Sequence, residues 1–267
     1  MLILNSFFNS KFFDKINPFF FRKIFKIFKC FFVQTDMKEL PLINYPIHIN
    51  QNEISKSEFF LNNEAKPYMS YSHLADLISS INKENKEITF FDFGAANLNL
   101  YYYFKRKFKN INYYFHDQKE IKKYISNVII KKNLKDIYLD EIEFINVKID
   151  LVYFGSSLQY VKDYKYNLEK FFNKAKYILI SQIPFFSNND LPEKIIMKQL
   201  NMHPVINYLY LFNSEHFTKF MEKNNYFLVE KNINKVTKFL NFNNFDKEIY
   251  KEINMYDLLF EYKNEKK

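Results

Sequence analysis

The order of apolar and polar positions from about residue 68 onward predicts alternating strands and helices. Five segments carry apolar residues at the three-and-four spacing of an amphipathic helix: 71–81, 98–108, 119–132, 164–173 and 214–223. Seven short apolar runs are typical of buried strands: 88–93, 111–116, 137–139, 149–154, 177–182, 226–230 and 256–262. Strands that alternate with helices are joined by right-handed crossovers. The pattern therefore predicts a doubly wound α/β domain with a mostly parallel, seven-stranded sheet.

In such a sheet a ligand binds at the carboxyl ends of the strands, beside the point where the strand order reverses. Asp92 and Gly94 come at the end of the first predicted strand, and Asp117 follows the second. A separation of 25 residues between the two acids suits an acid that hydrogen-bonds the hydroxyls of a ribose. Three further sets of polar residues follow the later strands, namely Asp140, then Ser156, Ser157 and Gln159, then Ser181 and Gln182.

Composition excludes several kinds of site. The chain has two glycines, Gly94 and Gly155, far apart in sequence, whereas phosphate-binding loops and hydrolase elbows need several in one short stretch. Cys30 is the single cysteine and the five histidines are scattered, which argues against disulfides and against a zinc site. We therefore expect no metal and a reducing, cytoplasmic compartment.

Residues 1–33 differ in composition from the rest of the chain. They contain eleven Phe and six Lys or Arg against one acid, which is +5 of the net charge of +9. The remaining charge of +4 is too small to favour a nucleic-acid surface. Residues 18–33 have the spacing of an amphipathic helix, and two interpretations stay open. Either the helix contacts an anionic membrane interface, such as that of the inner membrane, or its Phe face packs on the domain. A Pro-containing linker over 34–67 separates this arm from a domain over 68–267.

Three segments resemble a known family. They are Phe90-Phe-Asp-Phe-Gly-Ala-Ala, Asp150-Leu-Val-Tyr-Phe-Gly-Ser-Ser-Leu-Gln-Tyr-Val and Tyr177-Ile-Leu-Ile-Ser-Gln-Ile-Pro-Phe. Together they are similar to Rossmann-like, S-adenosylmethionine-dependent methyltransferases associated with bacterial surface-polysaccharide genes. The likeness runs from about Tyr68 to the C-terminus and does not include the arm.

The resemblance implies a cofactor, S-adenosylmethionine, and a glycan or other small-molecule acceptor. The cofactor-binding residues it implies are Asp92, Gly94, Ala96, Asp117, Asp140, Ser156 and Ser157. Gly94 would let the backbone approach the methionyl part, Asp92 would brace the turn, Asp117 would hold the ribose and Asp140 would meet the adenine. Ser156, Ser157 and Gln159 would line the methyl-transfer side of the crevice. No catalytic base is identified; the candidates for this role are His116 and His203.

Structural roles are open for each of these residues. Asp92 would accept backbone hydrogen bonds, Asp117 would cap the following helix, Asp140 would lie in a solvated turn, and the serines would cap a helix. A one-residue shift of the second strand would exchange Asp117 with His116.

Two of the family's three glycine positions are Ala96 and Leu98 here, and an acid–base pair after the fifth strand is Ser181-Gln182. Ala96 fits if its φ stays negative. These departures favour one alternative, a non-catalytic methyltransferase fold that serves as an interaction module. They disfavour a nicotinamide-dependent oxidoreductase, which needs the three-glycine turn. A glycosyltransferase is disfavoured because the chain lacks an Asp-x-Asp metal motif.

Overall fold

The computed structural model describes residues 6–17, 20, 32–41, 69–82, 87–139, 146–200, 207–234, 245 and 253–264. The helices are α1 (Lys11–Asp14), α2 (Met69–Ile81), α3 (Asn99–Lys107), α4 (Lys119–Lys132), α5 (Tyr164–Glu169) and α6 (Ser214–Glu222). The strands are β1 (Phe32–Gln34), β2 (Ile88–Phe93), β3 (Ile111–His116), β4 (Ile137–Tyr138), β5 (Ile149–Gly155), β6 (Ala175–Phe186), β7 (Lys194–Gln199), β8 (Asn207–Asn213), β9 (Tyr226–Ile233) and β10 (Asn254–Tyr262). A 3₁₀ turn, Leu158–Tyr160, follows β5.

The chain divides into two compact units. Unit A comprises Tyr45–Gly155 and Asn167–Leu179, and unit B comprises Met1–Asn44, Ser156–Tyr166 and Ile180–Lys267. Strand β6 belongs to both, because the boundary falls after Leu179. The domain boundaries predicted at residues 33 and 67 stay predictions, since residues 42–68 lie outside the described ranges.

Unit A contains a parallel sheet with the neighbour order β6-β5-β2-β3-β4. β2 pairs in parallel with both β3 and β5, and β3 pairs in parallel with β4. The chain proceeds from β2 to β4 in one direction across the sheet and from β5 to β6 in the other. The strand order therefore reverses between β2 and β5. The predicted α/β fold with a mostly parallel sheet is confirmed.

Aromatic side chains form much of the core of unit A. Phe90 meets the ring of Phe104 edge to face, with centroids 4.9 Å apart, and the ring of Tyr113 at 5.4 Å. All three residues are almost fully buried. Edge-to-face pairs contribute about 0.5–1.5 kcal/mol beyond the area that they bury. The high Phe and Tyr content of the chain is thus used for packing here, and it fixes β2 against α3 and β3.

Unit B contains three strands that the sequence did not predict. β1 pairs antiparallel with β7, β7 pairs antiparallel with β8, and β8 pairs in parallel with β6. β10 pairs with β6 and, antiparallel, with β9. After the fifth predicted strand, the described residues continue β6 to Phe186 and then form β7 and β8.

The described part of the N-terminal arm packs within unit B. Phe8 and Phe13 are buried in one cluster with Val33 and Leu200. Ser10 caps α1, because its hydroxyl accepts a hydrogen bond from the Phe13 N–H. Phe8 and Phe13 therefore face the core, whereas the other residues of 6–17 are partly or fully exposed. Most of the amphipathic helix predicted over 18–33 lies outside the described residues.

Helices long and apolar enough to cross a membrane were looked for in the described ranges, and none was found.

Candidate functional site

The turn after β2 is held against the end of β3. Gly94 has a φ of 73°, and its N–H donates to the His116 carbonyl at 2.8 Å. The Ala95 N–H donates to the same carbonyl at 3.3 Å. A positive φ costs glycine nothing, because it has no Cβ. The sequence therefore places its glycine where the backbone leaves β2, next to the point at which the strand order reverses.

The Asp117 carboxylate closes this turn from the end of β3. One oxygen, Oδ2, accepts a hydrogen bond from the Ala96 N–H at 2.8 Å, and Oδ1 accepts one from the Gln118 N–H at 2.7 Å. Gln118, not Asp117, is the N-cap residue of α4. Burial raises the pKa of Asp117, and its two backbone hydrogen bonds act in the opposite direction. The structure thus brings together Asp92, Gly94, Ala96 and Asp117 in unit A.

Asp92 lies beneath the turn rather than on its surface. Its side chain is 4% exposed, and the hydroxyl of Tyr113 donates to its Oδ2. Burial raises the pKa of Asp92 to about 7; the Tyr113 hydrogen bond lowers that pKa, and the negative charge of Asp117 raises it. Asp92 therefore changes its protonation near neutral pH, which is a property typical of functional carboxylates. The sequence did not predict the Tyr113 contact.

Ala96 does not meet the condition under which it was expected to fit the turn. Its φ is 56°, in the left-handed region, whereas a fit to the turn was expected only at negative φ. The short link between the Gly94 turn and α3 requires this conformation while Asp117 holds the Ala96 N–H. A residue with a Cβ pays about 1–2 kcal/mol to adopt it. Ala96 is exposed, so its methyl group has no buried neighbour to displace.

Ser156, Ser157 and Gln159 lie in unit B, directly after β5. Ser156 is exposed and has a φ of 54°, and its N–H donates to the Ser181 carbonyl at 2.9 Å. The Gln159 Nε2 donates to the Ser156 hydroxyl at 3.1 Å, and Gln159 is 2% exposed. Ser157 is the N-cap residue of the 3₁₀ turn, but its side chain makes no capping hydrogen bond there. The helix-capping role that was left open for the serines is therefore not observed at Ser157.

Ser181 and Gln182 were expected after the fifth predicted strand. In the structure they lie within that strand, which is β6. The Ser181 hydroxyl donates to Asp257 Oδ1 at 2.7 Å, and the Gln182 N–H donates to the same oxygen at 3.0 Å. Asn234 Nδ2 also donates to Asp257, at 3.0 Å to Oδ2. Strand β10 thus supplies a carboxylate to this position, which the sequence did not indicate because Asp257 is 76 residues from Ser181 and 75 from Gln182.

Some predicted residues lie outside the described ranges, namely Asp140 and His203. Within those ranges no group of three or more His, Cys, Asp or Glu is arranged to hold a metal ion. A cavity of about 510 Å³ lies elsewhere in unit A, at the amino ends of the strands. Ile88, Asp150 and Tyr177 are among its lining residues, and it includes none of the predicted site residues.

Comparisons with known proteins give structural matches only. No family model matches the chain, and no curated protein matches it. Among solved structures, the N-terminal domain of EvdMO1, crystallised in the presence of S-adenosylhomocysteine and D-fucose, is 9% identical, with a TM-score of 0.51. The match covers 80% of this chain and 97% of that one. The same domain with S-adenosylhomocysteine bound gives a TM-score of 0.50 at the same identity and coverage.

An S-adenosylmethionine-dependent methyltransferase from Clostridium acetobutylicum is 15% identical over 80% of this chain and 100% of its own, with a TM-score of 0.49. At these identities a match reports the fold. The chain has an α/β fold of the Rossmann-like type, which it shares with the N-terminal domain of EvdMO1.

Proposed function

We propose that the chain is an S-adenosylmethionine-dependent methyltransferase that acts on a small-molecule acceptor. One observation carries the proposal. A turn with a glycine at positive φ follows β2, and the carboxylate after β3 binds that turn. This arrangement occurs at the carboxyl edge of the sheet, beside the reversal of strand order, where α/β proteins bind ligands. The likeness to a domain crystallised with S-adenosylhomocysteine supports the same cofactor.

The residues of unit A fit the cofactor. Gly94 leaves room for the methionyl part, and the Asp117 oxygens each use one lone pair on a backbone N–H. A carboxylate oxygen has a further lone pair, so Asp117 can still accept hydrogen bonds from the two ribose hydroxyls. Asp92 accepts a hydrogen bond from the Tyr113 hydroxyl of β3 and carries a negative charge above neutral pH that attracts an ammonium group. Asp140 would meet the adenine, as the family resemblance implies.

The cofactor would supply a methyl group on a positively charged sulfur, for transfer to an oxygen or nitrogen of the acceptor with loss of that atom's proton to solvent. The protein's residues then have to align the acceptor and exclude water. A general base is needed only when the acceptor atom is a hydroxyl oxygen that must lose its proton.

Calorimetric titration of S-adenosylhomocysteine and S-adenosylmethionine tests the cofactor site. Asp117→Asn and Gly94→Asp should each weaken binding at least tenfold, because the first alters the ribose acceptor and the second fills the turn. Asp150→Asn is the matched control: Asp150 also accepts a backbone hydrogen bond, from the Thr89 N–H at 2.8 Å, but at the opposite ends of the strands. Equal weakening by Asp150→Asn would contradict the assignment of the site.

One observation favours a second function. The resembling family has a glycine at this position, whereas here Ala96 holds a left-handed conformation that glycine adopts at no cost. The second candidate is therefore a non-catalytic interaction module with a methyltransferase fold. Absence of cofactor binding up to millimolar concentration would overturn the enzyme proposal and favour this module.

For the acceptor we propose a glycan precursor of surface-polysaccharide biosynthesis. The resemblance of the three sequence segments supports this class, and the EvdMO1 domain was crystallised with D-fucose. Transfer of radiolabelled methyl from S-adenosylmethionine to a panel of sugars, nucleotide sugars and amines tests it. Methylation of amines alone would contradict the glycan class.

We also propose that residues 1–33 contact an anionic membrane at its surface. Phe12 is 71% exposed although its neighbour Phe13 is buried, and Lys11 and Lys15 beside it are exposed. Cosedimentation with phosphatidylglycerol vesicles should fall with Phe12→Ser and with added salt. Ile130→Ser, at a 75% exposed position of α4, is the control and should leave binding unchanged. Equal loss in both variants would contradict a role for the arm.

A further inference from the structure

A connected cluster of amide and hydroxyl side chains lies in unit B. The Tyr160 hydroxyl donates to Gln199 Oε1 at 3.0 Å, and Asn207 Nδ2 donates to the same oxygen at 2.7 Å. Gln159, next to Tyr160 in the 3₁₀ turn, donates its Nε2 to Ser156 Oγ at 3.1 Å. Residues from three places in the chain, the 3₁₀ turn, β7 and β8, therefore form one polar cluster. We call it the amide cluster.

Two acceptor atoms of the amide cluster are buried and receive no hydrogen bond. They are Gln159 Oε1 and Asn207 Oδ1, and no donor in the described ranges reaches either one. Gln159 is 2% exposed and Asn207 is 4% exposed. A buried polar group without a partner costs about 1–3 kcal/mol, and more than nine in ten such groups are satisfied in folded proteins. Two unsatisfied acceptors in one cluster point to a missing donor.

The surroundings of the cluster favour a ligand that enters from one end. Ser156, at one end, is exposed, whereas Asn207, at the other, is buried. The Tyr160 side chain packs against an apolar group that includes Phe186, Met197 and Leu209, which holds the cluster in place. The cluster carries no charged side chain, so it suits neutral ligands. A hydroxyl group both donates and accepts, and therefore satisfies an amide whichever way the amide is turned.

We propose that the amide cluster binds the hydroxyl groups of a small, neutral polyhydroxylated molecule of the sugar class. One ligand hydroxyl donates to Gln159 Oε1 and another donates to Asn207 Oδ1. The inference goes beyond the proposed function, because sugar binding by the amide cluster does not require that the chain bind S-adenosylmethionine. Neither Gln199 nor Asn207 belongs to the three segments that carry the family resemblance.

The test compares variants that remove each unsatisfied oxygen at nearly constant volume, Gln159→Met and Asn207→Leu. D-Fucose, D-galactose and D-glucose are the probes, and binding is measured by saturation-transfer NMR and calorimetry, with and without S-adenosylhomocysteine. The matched control is Asn127→Leu, at an exposed position of α4. Each cluster variant should weaken the binding of the sugar about fivefold to tenfold, which is the effect of one lost hydrogen bond, and Asn127→Leu should not.

Thermal unfolding without ligand separates a binding role from a structural one. Each cluster variant removes one unsatisfied oxygen together with one donating nitrogen, Gln159 Nε2 or Asn207 Nδ2. The two effects on stability act in opposite directions, so the variants should melt within a few degrees of the wild type. Large destabilisation of both, with sugar binding unchanged, would mean that an internal water satisfies the oxygens and would overturn the proposal. Failure of all three sugars to bind the wild type would also overturn it. Sugar binding that depends on the cluster, in a chain that does not bind S-adenosylhomocysteine, would support the site and contradict the methyltransferase proposal.

Discussion

At the scale of single residues, the turn after β2 contains one position that glycine fits better than the residue present. Ala96 has a φ of 56° and Gly94 has a φ of 73°, so two of three consecutive residues after Phe93 are left-handed. Ala95, between them, is not. The sequence showed that Ala96 occupies a glycine position of the family but could not show its dihedral angle. The Asp117 hydrogen bond to the Ala96 N–H, made across 21 residues, depends on that conformation.

Exchanging Ala96 for glycine should therefore stabilise the protein. We expect Ala96→Gly to raise the free energy of unfolding by about 0.5–1 kcal/mol, because the relief of strain exceeds the entropy gained by the unfolded chain. Ala95→Gly is the matched control and should lower it by a similar amount, since only the entropic effect remains. Urea denaturation of both variants measures the difference. Destabilisation of equal size in the two variants would show that Ala96 is not strained.

The buried Asp92 should make stability depend on pH. Its pKa is about 7 in the folded state and 3.8 in its ordinary environment. Between these values the folded state binds more protons than the unfolded state, so stability falls as the pH rises from about 4 to about 7. Asp92→Asn should flatten this fall, and a weaker one should remain because the pKa of Asp117 is also raised. Denaturant midpoints across this range measure the effect, and parallel curves for the two proteins would contradict it.

At the scale of elements, the local sequence pattern predicts a helix or strand well when the burial of its residues follows from that pattern alone. Helix α4 begins and ends where predicted, because its apolar stripe is uninterrupted and Asn133 ends it with a φ of 50°. Strand β7 was missed because Lys198 and Gln199, both polar, are buried in it. Lys198 meets its partner Asp14 across 184 residues, a contact that no local pattern contains. The contact of Asp92 with Tyr113 and that of Asp257 with Ser181 also join residues distant in sequence, so the local pattern did not predict them.

Removing only the acid of the Lys198–Asp14 ion pair should destabilise the protein more than removing only the lysine. The Lys198 side chain is 3% exposed, and its Nζ also donates to the Phe8 carbonyl at 2.9 Å. Asp14→Ala leaves a buried charge and should cost about 3 kcal/mol, near the lower end for such pairs because Asp14 is 20% exposed. Lys198→Met removes the buried charge and should cost less. Urea midpoints decide between them, and a larger loss in Lys198→Met would contradict this account.

At the scale of the whole molecule, each unit has a candidate site built from its own residues. Unit A holds the turn of Gly94 and Ala96 with the Asp117 carboxylate. Unit B holds the amide cluster, with Gln159, Gln199 and Asn207. A ligand that binds the folded state stabilises it by mass action. Separate regions of a protein unfold locally with different free energies, so a ligand can protect one region from hydrogen exchange without protecting another. The two proposed ligands should therefore protect different segments of the chain.

Hydrogen exchange with mass spectrometry measures that difference directly. S-Adenosylhomocysteine should slow exchange of the amides in the turn after β2, including Gly94 and Ala96, whose N–H groups bond to the end of β3. A sugar probe should slow exchange over Ser156–Tyr160 and at the start of β8. At a ligand concentration of about 100 times Kd, protection should reach about 2.7 kcal/mol, close to a hundredfold in exchange rate. Asp117→Asn should abolish only the first effect and Asn207→Leu only the second. Protection of the same segments by both ligands would contradict the assignment of one site to each unit.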